Sequence, residues 1–190
     1  MFVQIRRIIL GVLLVLMLSG CGAVSAGSDA LPVSSAAAEY CTKNGGEVET
    51  RYPFYGTNNA NPLQLAGSMQ ICTFTLKEDG SRIFVALDTL YSDQPTLASS
   101  AYRTKQPMKP ADSSVNPSSV YCSQLGGTDL FGGVNASGGG WARKDAEDVI
   151  AMCVFADLSS IDSWGLTYHS EGTIRGADLT ELFRYQGSKP

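Results

Sequence analysis

The sequence predicts an α+β protein made of two repeats, each a short helix followed by a three-stranded antiparallel meander and closed by one disulfide from helix to sheet. Three observations lead there. Tyr40-Cys41 with Gly45-Gly46 recurs as Tyr121-Cys122 with Gly126-Gly127, and Cys72-Thr73-Phe74 recurs as Cys153-Val154-Phe155. Both recurrences are displaced by 81 positions, so the two Cys pairs have the same spacing of 31. Helix punctuation precedes each Gly pair, and strand alternation follows it.

The elements run in order from a leader. Arg6 and Arg7 precede the apolar run 8–18, which ends in Leu18-Ser19-Gly20-Cys21. That is the layout of a secretory signal peptide over 1–20. The run is about half of the ~20 residues a spanning helix needs, which argues against a permanent transmembrane anchor. Leu-Ser-Gly-Cys resembles the lipobox of bacterial lipoproteins, which implies a diacylglyceryl group on Cys21, cleavage before it and acylation of the new amino terminus. Several acyl chains make a stable anchor where one is marginal. Gly22 stands where an Asp would mark inner-membrane retention, so the resemblance implies the outer membrane in a two-membrane bacterium. Residues 21–33, rich in Ser, Ala and Gly, read as a flexible tether.

The first module, 34–91, opens with Ser35 as N-cap and Ala36 as first helical residue, and its helix stops at Gly45 in the left-handed conformation. Strands follow at 47–54, 68–76 and 82–91, the last alternating through Ile83, Val85 and Leu87. Asp79-Gly80 marks the turn between the second and third. A linker, 92–114, contains Pro95, Pro107 and Pro110, with room for a helical turn at 98–102. The second module, 115–190, opens with Asn116 as N-cap, Pro117 and a stop at Gly126. Its strands are expected at 128–134, 149–156 and 163–170, the last through Trp164, Leu166 and Tyr168, with a short closing helix at 178–185.

The second strand of each module is apolar on both faces, which calls for cover on both sides. The helix suits the face bearing the second Cys. The other face is expected to pack on the other module, as two sheets about a pseudo-twofold axis.

Apart from Cys21, four cysteines remain, and four permit three pairings. Equal spacing in duplicated modules selects Cys41 with Cys72 and Cys122 with Cys153, in the oxidising surroundings an exported chain meets. A loop of that length contributes roughly 3 to 4 kcal/mol on the chain-entropy model. No Cys-x-x-Cys occurs, and His169 is the one histidine, so neither a metal site nor a cofactor is expected.

Chemistry-bearing patterns are few. On the strand alternation His169 shares a polar face with Ser163 and Thr167, read as a solvated residue, with a catalytic base of a cryptic hydrolase as the alternative. No nucleophile elbow, phosphate loop or zinc-protease helix accompanies it. Asp145, Glu147 and Asp148, with Asp157 and Asp162, fail the calcium-loop spacing and read as a solvated acidic face. Trp141 follows Gly138-Gly139-Gly140, and Tyr52, Phe54 and Tyr55 occupy the matching part of the first module. These aromatics are either displayed on loops for recognition or folded back over the sheet. Without Arg6 and Arg7 the chain carries 12 basic and 18 acidic side chains, a net −6, which disfavours nucleic acid as a partner.

Asn116-Pro117-Ser118-Ser119-Val120-Tyr121-Cys122, the Gly pair, Cys153-Val154-Phe155 and Trp164 together resemble the exported bacterial modules grouped as domain of unknown function 333. Members of that family are often labelled hemolysins and commonly carry lipoprotein signals. The first module departs from the pattern with Ala36 for the Pro and Ile83 for the Trp, and the family supplies no catalytic residue. The reading is therefore a non-enzymatic, lipid-anchored envelope protein whose candidate contact residues, Trp141, Tyr52 and Tyr55, face a protein or glycan, with an inhibitor-like role suggested by architecture alone. A membrane-damaging factor is the alternative, and the hydrolase using His169 a lesser one.

Overall fold

The computed structural model describes residues 35–110, 115–131 and 137–187; Cys21, the leader and the tether lie outside them. The protein is α+β, with an antiparallel, curled sheet. The element order is α1 (Ser35–Lys43), β1 (Glu47–Tyr55), β2 (Leu63–Gln64), β3 (Met69–Thr75), β4 (Arg82–Ala86), α2 (Leu87–Tyr91) and α3 (Leu97–Thr104). It continues with α4 (Pro117–Gln124), β5 (Thr128–Asp129), β6 (Gly139–Ala142), β7 (Met152–Val154), β8 (Ser160–Asp162) and α5 (Ser163–Ser170).

Both disulfides form as expected, Cys41–Cys72 and Cys122–Cys153, with Cα separations of 5.8 and 5.5 Å. Their surroundings explain the Gly pairs. Gly45 and Gly126 end α1 and α4 at the same backbone angle, φ +85°, which a side chain would strain. At Gly46 and Gly127 a Cβ would run into both sulfurs of the neighbouring disulfide. The first glycine of each pair is needed for its conformation and the second for its lack of volume. Asn116 caps α4 as expected, Oδ1 accepting the Ser118 N–H at 3.0 Å, with Pro117 in the first turn.

The expectation of two sheets packed face to face is corrected. The strand order is β2-β1-β3-β4-β8-β7-β5, with β6 paired to β1, and the two halves meet edge to edge where Val85 faces Ile161. Val85 stands two residues before α2 and Ile161 two before α5. One straight row crosses the sheet from Val48 through Cys72, Val85, Ile161 and Cys153 to Asp129. Directly opposed residues share a face, so this row turns both disulfides to the helical side. There Ala37, Leu87, Leu90, Tyr102, Tyr121, Leu166, Leu179 and Phe183 close one core.

A second correction concerns the third strand of the second half. Residues 163–170 are not a strand but helix α5; the strand is β8, three residues earlier. The hairpin is shorter. Phe155 N–H donates to the Ser159 carbonyl across a turn with Leu158 at φ +64°, whereas the first half turns more widely through Gly80. In the first half too, the predicted strand stops early, giving way to α2 at Leu87. The expected strand 149–156 is reduced to β7, and 128–134 to β5, with 132–136 outside the described residues. The helical turn expected within the linker is α3, with Thr96 and Ser99 forming a reciprocal cap, while 178–185 forms turns instead of a helix.

Candidate functional site

Strand β1 is longer than its pairing with β3. Residues 47–51 pair with β3, and 52–55 continue into a lobe where they pair with β2 and β6. Tyr55 faces Leu63 and Gly139, and Pro53 faces Trp141. Leu65 donates its N–H to the Pro53 carbonyl at 2.8 Å, and Trp141 exchanges two backbone bonds with Ile150. One face of the lobe therefore carries Leu63 beside Tyr55 and, one row inward, Leu65, Pro53 and Trp141.

That face grades from buried to exposed. Trp141 is 9% exposed and packs with Ile71, Phe84, Ile150 and Met152, with Phe131 edge-on to it at 6.4 Å. Tyr55, Leu63 and Leu65 are 45, 61 and 39% exposed. Exposed apolar neighbours of this kind are uncommon on a monomer surface unless they serve contact.

Display of Trp141 on a mobile glycine loop, one of the two readings of the sequence, is thus corrected in favour of the other. Its glycines are packing devices: a Cβ at Gly139 would meet Phe131, and one at Gly140 would meet Val149 and the Ile150 carbonyl. Of the other candidates, Tyr52 is half-buried opposite Ala142, and only Tyr55 reaches the surface. Trp141 and Ile150 also supply the cover that β3 needs on its second face. The second half covers the first with this hairpin, not with its sheet.

A charged knot pins the hairpin down. Asp148 takes both Arg82 Nη atoms, at 2.7 and 2.6 Å, and also Arg51 Nη2 at 2.8 Å. Arg51 is fully buried, donates to the Asp148 backbone carbonyl at 2.6 Å, and pairs with Glu49 at 2.6 Å. Thr73 donates to the second Glu49 oxygen at 2.7 Å. Arg143, half-exposed, lies 3.4 Å from Asp148, and the guanidiniums of Arg51 and Arg82 both sit on the Phe84 ring. The hydrogen bonds from Arg82 and Arg51 outweigh burial and hold the Asp148 carboxyl well below the usual carboxylate range.

The reading of 145–148 as a solvated acidic face is corrected at Asp148, while Asp145 and Glu147 are exposed. Asp162 leaves that class as well. It is buried as the N-cap of α5, accepting the Trp164 N–H at 2.9 Å, and burial pushes its pKa up to about 6. Nothing in the pattern around Arg51 distinguishes it from an exposed strand arginine, because Asp148, the partner it shares with Arg82, lies 97 residues away.

His169 is also corrected. It lies on helix α5, 2% exposed, with its ring stacked on Tyr102 at 3.7 Å and neither nitrogen hydrogen-bonded. Among the described residues no Ser-His-Asp arrangement is assembled on it. Among the described residues no group of three His, Cys, Asp or Glu side chains is placed to hold a metal ion, and no helix is long and apolar enough to cross a membrane. The two disulfides are those of a protein that matures in an oxidising, extracytoplasmic compartment.

The fold and this lobe are what the molecule offers for comparison. No family model matches the chain, and neither the curated proteins nor the solved structures hold a match to it.

Proposed function

We propose that the chain is a non-enzymatic envelope lipoprotein, tethered through Cys21, that presents the Tyr55–Leu63–Leu65 face of its lobe to a protein partner. The observation carrying this reading is the exposure of two leucines and a tyrosine side by side on paired strands, continuous with a packed Trp141 behind them. Aliphatic side chains beside one aromatic suit a protein surface better than a sugar ring. The charged knot supports it, since it ties the hairpin that carries Trp141 to the sheet behind that face, and a face held in place loses less entropy on binding.

Two further parts of the reading are the duplicated module and membership of domain of unknown function 333. They are supported by the matched helices, glycines and disulfides of the two halves and by the Asn-Pro-Ser-Ser-x-Tyr-Cys motif. The lipid anchor rests on the Leu-Ser-Gly-Cys motif, and the bacterial outer membrane on Gly22.

The test compares the intact chain with a Tyr55→Ser/Leu63→Lys variant, both immobilised over envelope extract. The variant keeps the parent's melting temperature and loses a saturable protein ligand that the parent retains. Equal retention by both, or retention of glycan alone, would sink the proposal. Labelling with tritiated palmitate, lost in Cys21→Ala, tests the anchor.

A further inference from the structure

The helical side of the molecule has a buried histidine that neither the lobe nor the sheet uses. His169 lies in the last turn of α5, and Tyr102 of α3 covers it face to face, the ring planes 9° apart. Both imidazole nitrogens are buried and unpartnered. A neutral ring in that position leaves one donor and one acceptor unsatisfied. A protonated ring leaves two donors and a charge.

The residue covering it also holds the end of the chain. Tyr102 Oη accepts the Leu179 N–H at 3.2 Å, and its ring meets Phe183 edge-on at 5.9 Å. The next residue, Arg103, donates to the Thr180 and Tyr185 carbonyls at 3.2 and 2.7 Å. Leu179 and Phe183 are thereby seated in the core without a helix of their own. Elsewhere the tail is held by Arg184, whose N–H donates to the Leu90 carbonyl, and by Tyr40, whose hydroxyl donates to the Leu182 carbonyl.

We propose that His169 is an acid-sensitive latch: protonation of its imidazole loosens α3 and residues 177–187 from α5 while the disulfide-closed sheet stays folded.

Charged and titratable groups face the ring from several sides. From α3 come Tyr102 and Lys105, and from the tail comes Asp178; α4, packed along α5, brings the neutral phenol of Tyr121 beside Ser170. Burial, followed by the Lys105 charge, lowers the His169 pKa below its ordinary value. The Asp178 charge and the Tyr102 backbone pull upward without offsetting it. A helix C-terminus favours a cation, and this too is outweighed. The folded state therefore binds the proton less readily than the opened one, so acid favours opening. Asp162 titrates at the other end of α5 with the opposite sign, its raised pKa stabilising the fold in acid. Asp178, in the tail, has a lowered pKa and favours opening in acid too, but only as pH nears the ordinary carboxylate value of 3.8, so an opening between about pH 7.5 and about pH 5 is assigned to His169.

The experiment is amide hydrogen exchange on the intact chain at about pH 7.5 and about pH 5, corrected for intrinsic rates. The Leu179 and Arg184 amides are expected to lose protection by about threefold or more in acid, while those of Cys72 and Cys153 hold theirs. In His169→Phe, which keeps a ring against Tyr102 but takes no proton, the acid response vanishes. The same response in that variant overturns the proposal. Should the variant fail to fold, an imidazole NMR titration of the parent decides. A ring titrating below the ordinary 6.5, in step with the Leu179 exchange, supports the latch, and one titrating at 6.5 or above overturns it.

Discussion

In the first half Thr73 pairs with Phe84, eleven residues further on; in the second, Val154 occupies the same place relative to its disulfide and pairs with Ser160, six residues on. Up to that hairpin the halves match, with a helix, a left-handed glycine, a glycine against the sulfurs and a disulfide across the same spacing of 31. After it they differ. The first has a five-residue helix, α2, entered from Ala86 with no side-chain cap; the second has the eight-residue α5 capped by Asp162. The covalent and steric core tolerates almost no change, because the glycine, the sulfurs and the strand occupy one another's contact distance. A turn at the sheet end can lose five residues and shift all that follows.

The largest effect that tests this equivalence is removal of each disulfide in turn. The Cys41→Ala/Cys72→Ala and Cys122→Ala/Cys153→Ala variants are each expected to lose about 3 to 4 kcal/mol, since equal loops carry equal closure entropy. Urea unfolding of the two measures the difference. A gap above about 1 kcal/mol would mean that the halves are constrained unequally in the unfolded chain or strained unequally in the folded one.

Next is the feature with no counterpart in the other half. Asp148 belongs to the second half and pins its hairpin to Arg51 and Arg82 of the first, whereas Gly67 stands 81 positions earlier. Asp148→Ala leaves the buried Arg51 with Glu49 as its one carboxylate partner beside the backbone carbonyl at 148, and should cost about 3 kcal/mol, the order seen on breaking a buried pair. The depressed Asp148 pKa gives the same interaction a pH signature. Its stabilisation is present above the ordinary carboxylate pKa of 3.8 and is lost as pH falls through the lower folded value. Denaturation at neutral pH and in strong acid should show the parent converging on Asp148→Ala. A constant gap between them would remove the ion pair from the explanation.

How much was readable in advance follows the same division. Cysteine pairing and both helix stops were legible, because a repeat of Cys and Gly at one offset reports on contacts that permit no other residue. The third strand was not. Trp164, Leu166 and Tyr168 alternate as a strand would, yet the shortened hairpin had already delivered the chain to the helix start at Ser163, and turn length sets register. The candidate site was legible only as a region. Tyr55 was named and reaches the surface, but Leu63 and Leu65, in a polar excursion, gain meaning only from pairing with β1. The pinning of Trp141 beneath the lobe depends on contacts about 90 residues apart in sequence, beyond any local pattern.

Asp162 should give the next effect. Its folded pKa of about 6 lies above the ordinary 3.8. The sign is therefore opposite to that of Asp148: the stabilising share is complete below 3.8 and is lost as pH rises through 6. Asp162→Asn keeps a good N-cap and removes the titration. Relative to that variant the parent should lose on the order of 2 kcal/mol between about pH 4 and about pH 7. Ala86, at the same place before α2, has no such group, so an unchanged difference across that range would return the two helix starts to equivalence.

The smallest expected effect is also the cleanest comparison of the halves. Gly45 and Gly126 share φ +85°, and a Cβ at either meets nothing within 4 Å. Alanine at these positions is penalised only by the left-handed backbone, about 1 kcal/mol at each. No neighbour can rescue one and not the other. Thermal unfolding of Gly45→Ala and Gly126→Ala should therefore give the same loss to within about 0.5 kcal/mol. At Gly46 and Gly127, by contrast, the added methyl meets a disulfide that cannot move aside, and alanine should cost more than at the preceding position. If the paired losses differ, or the first glycine of each pair proves the costlier, the two helix ends are not held by the same physics despite their common angle.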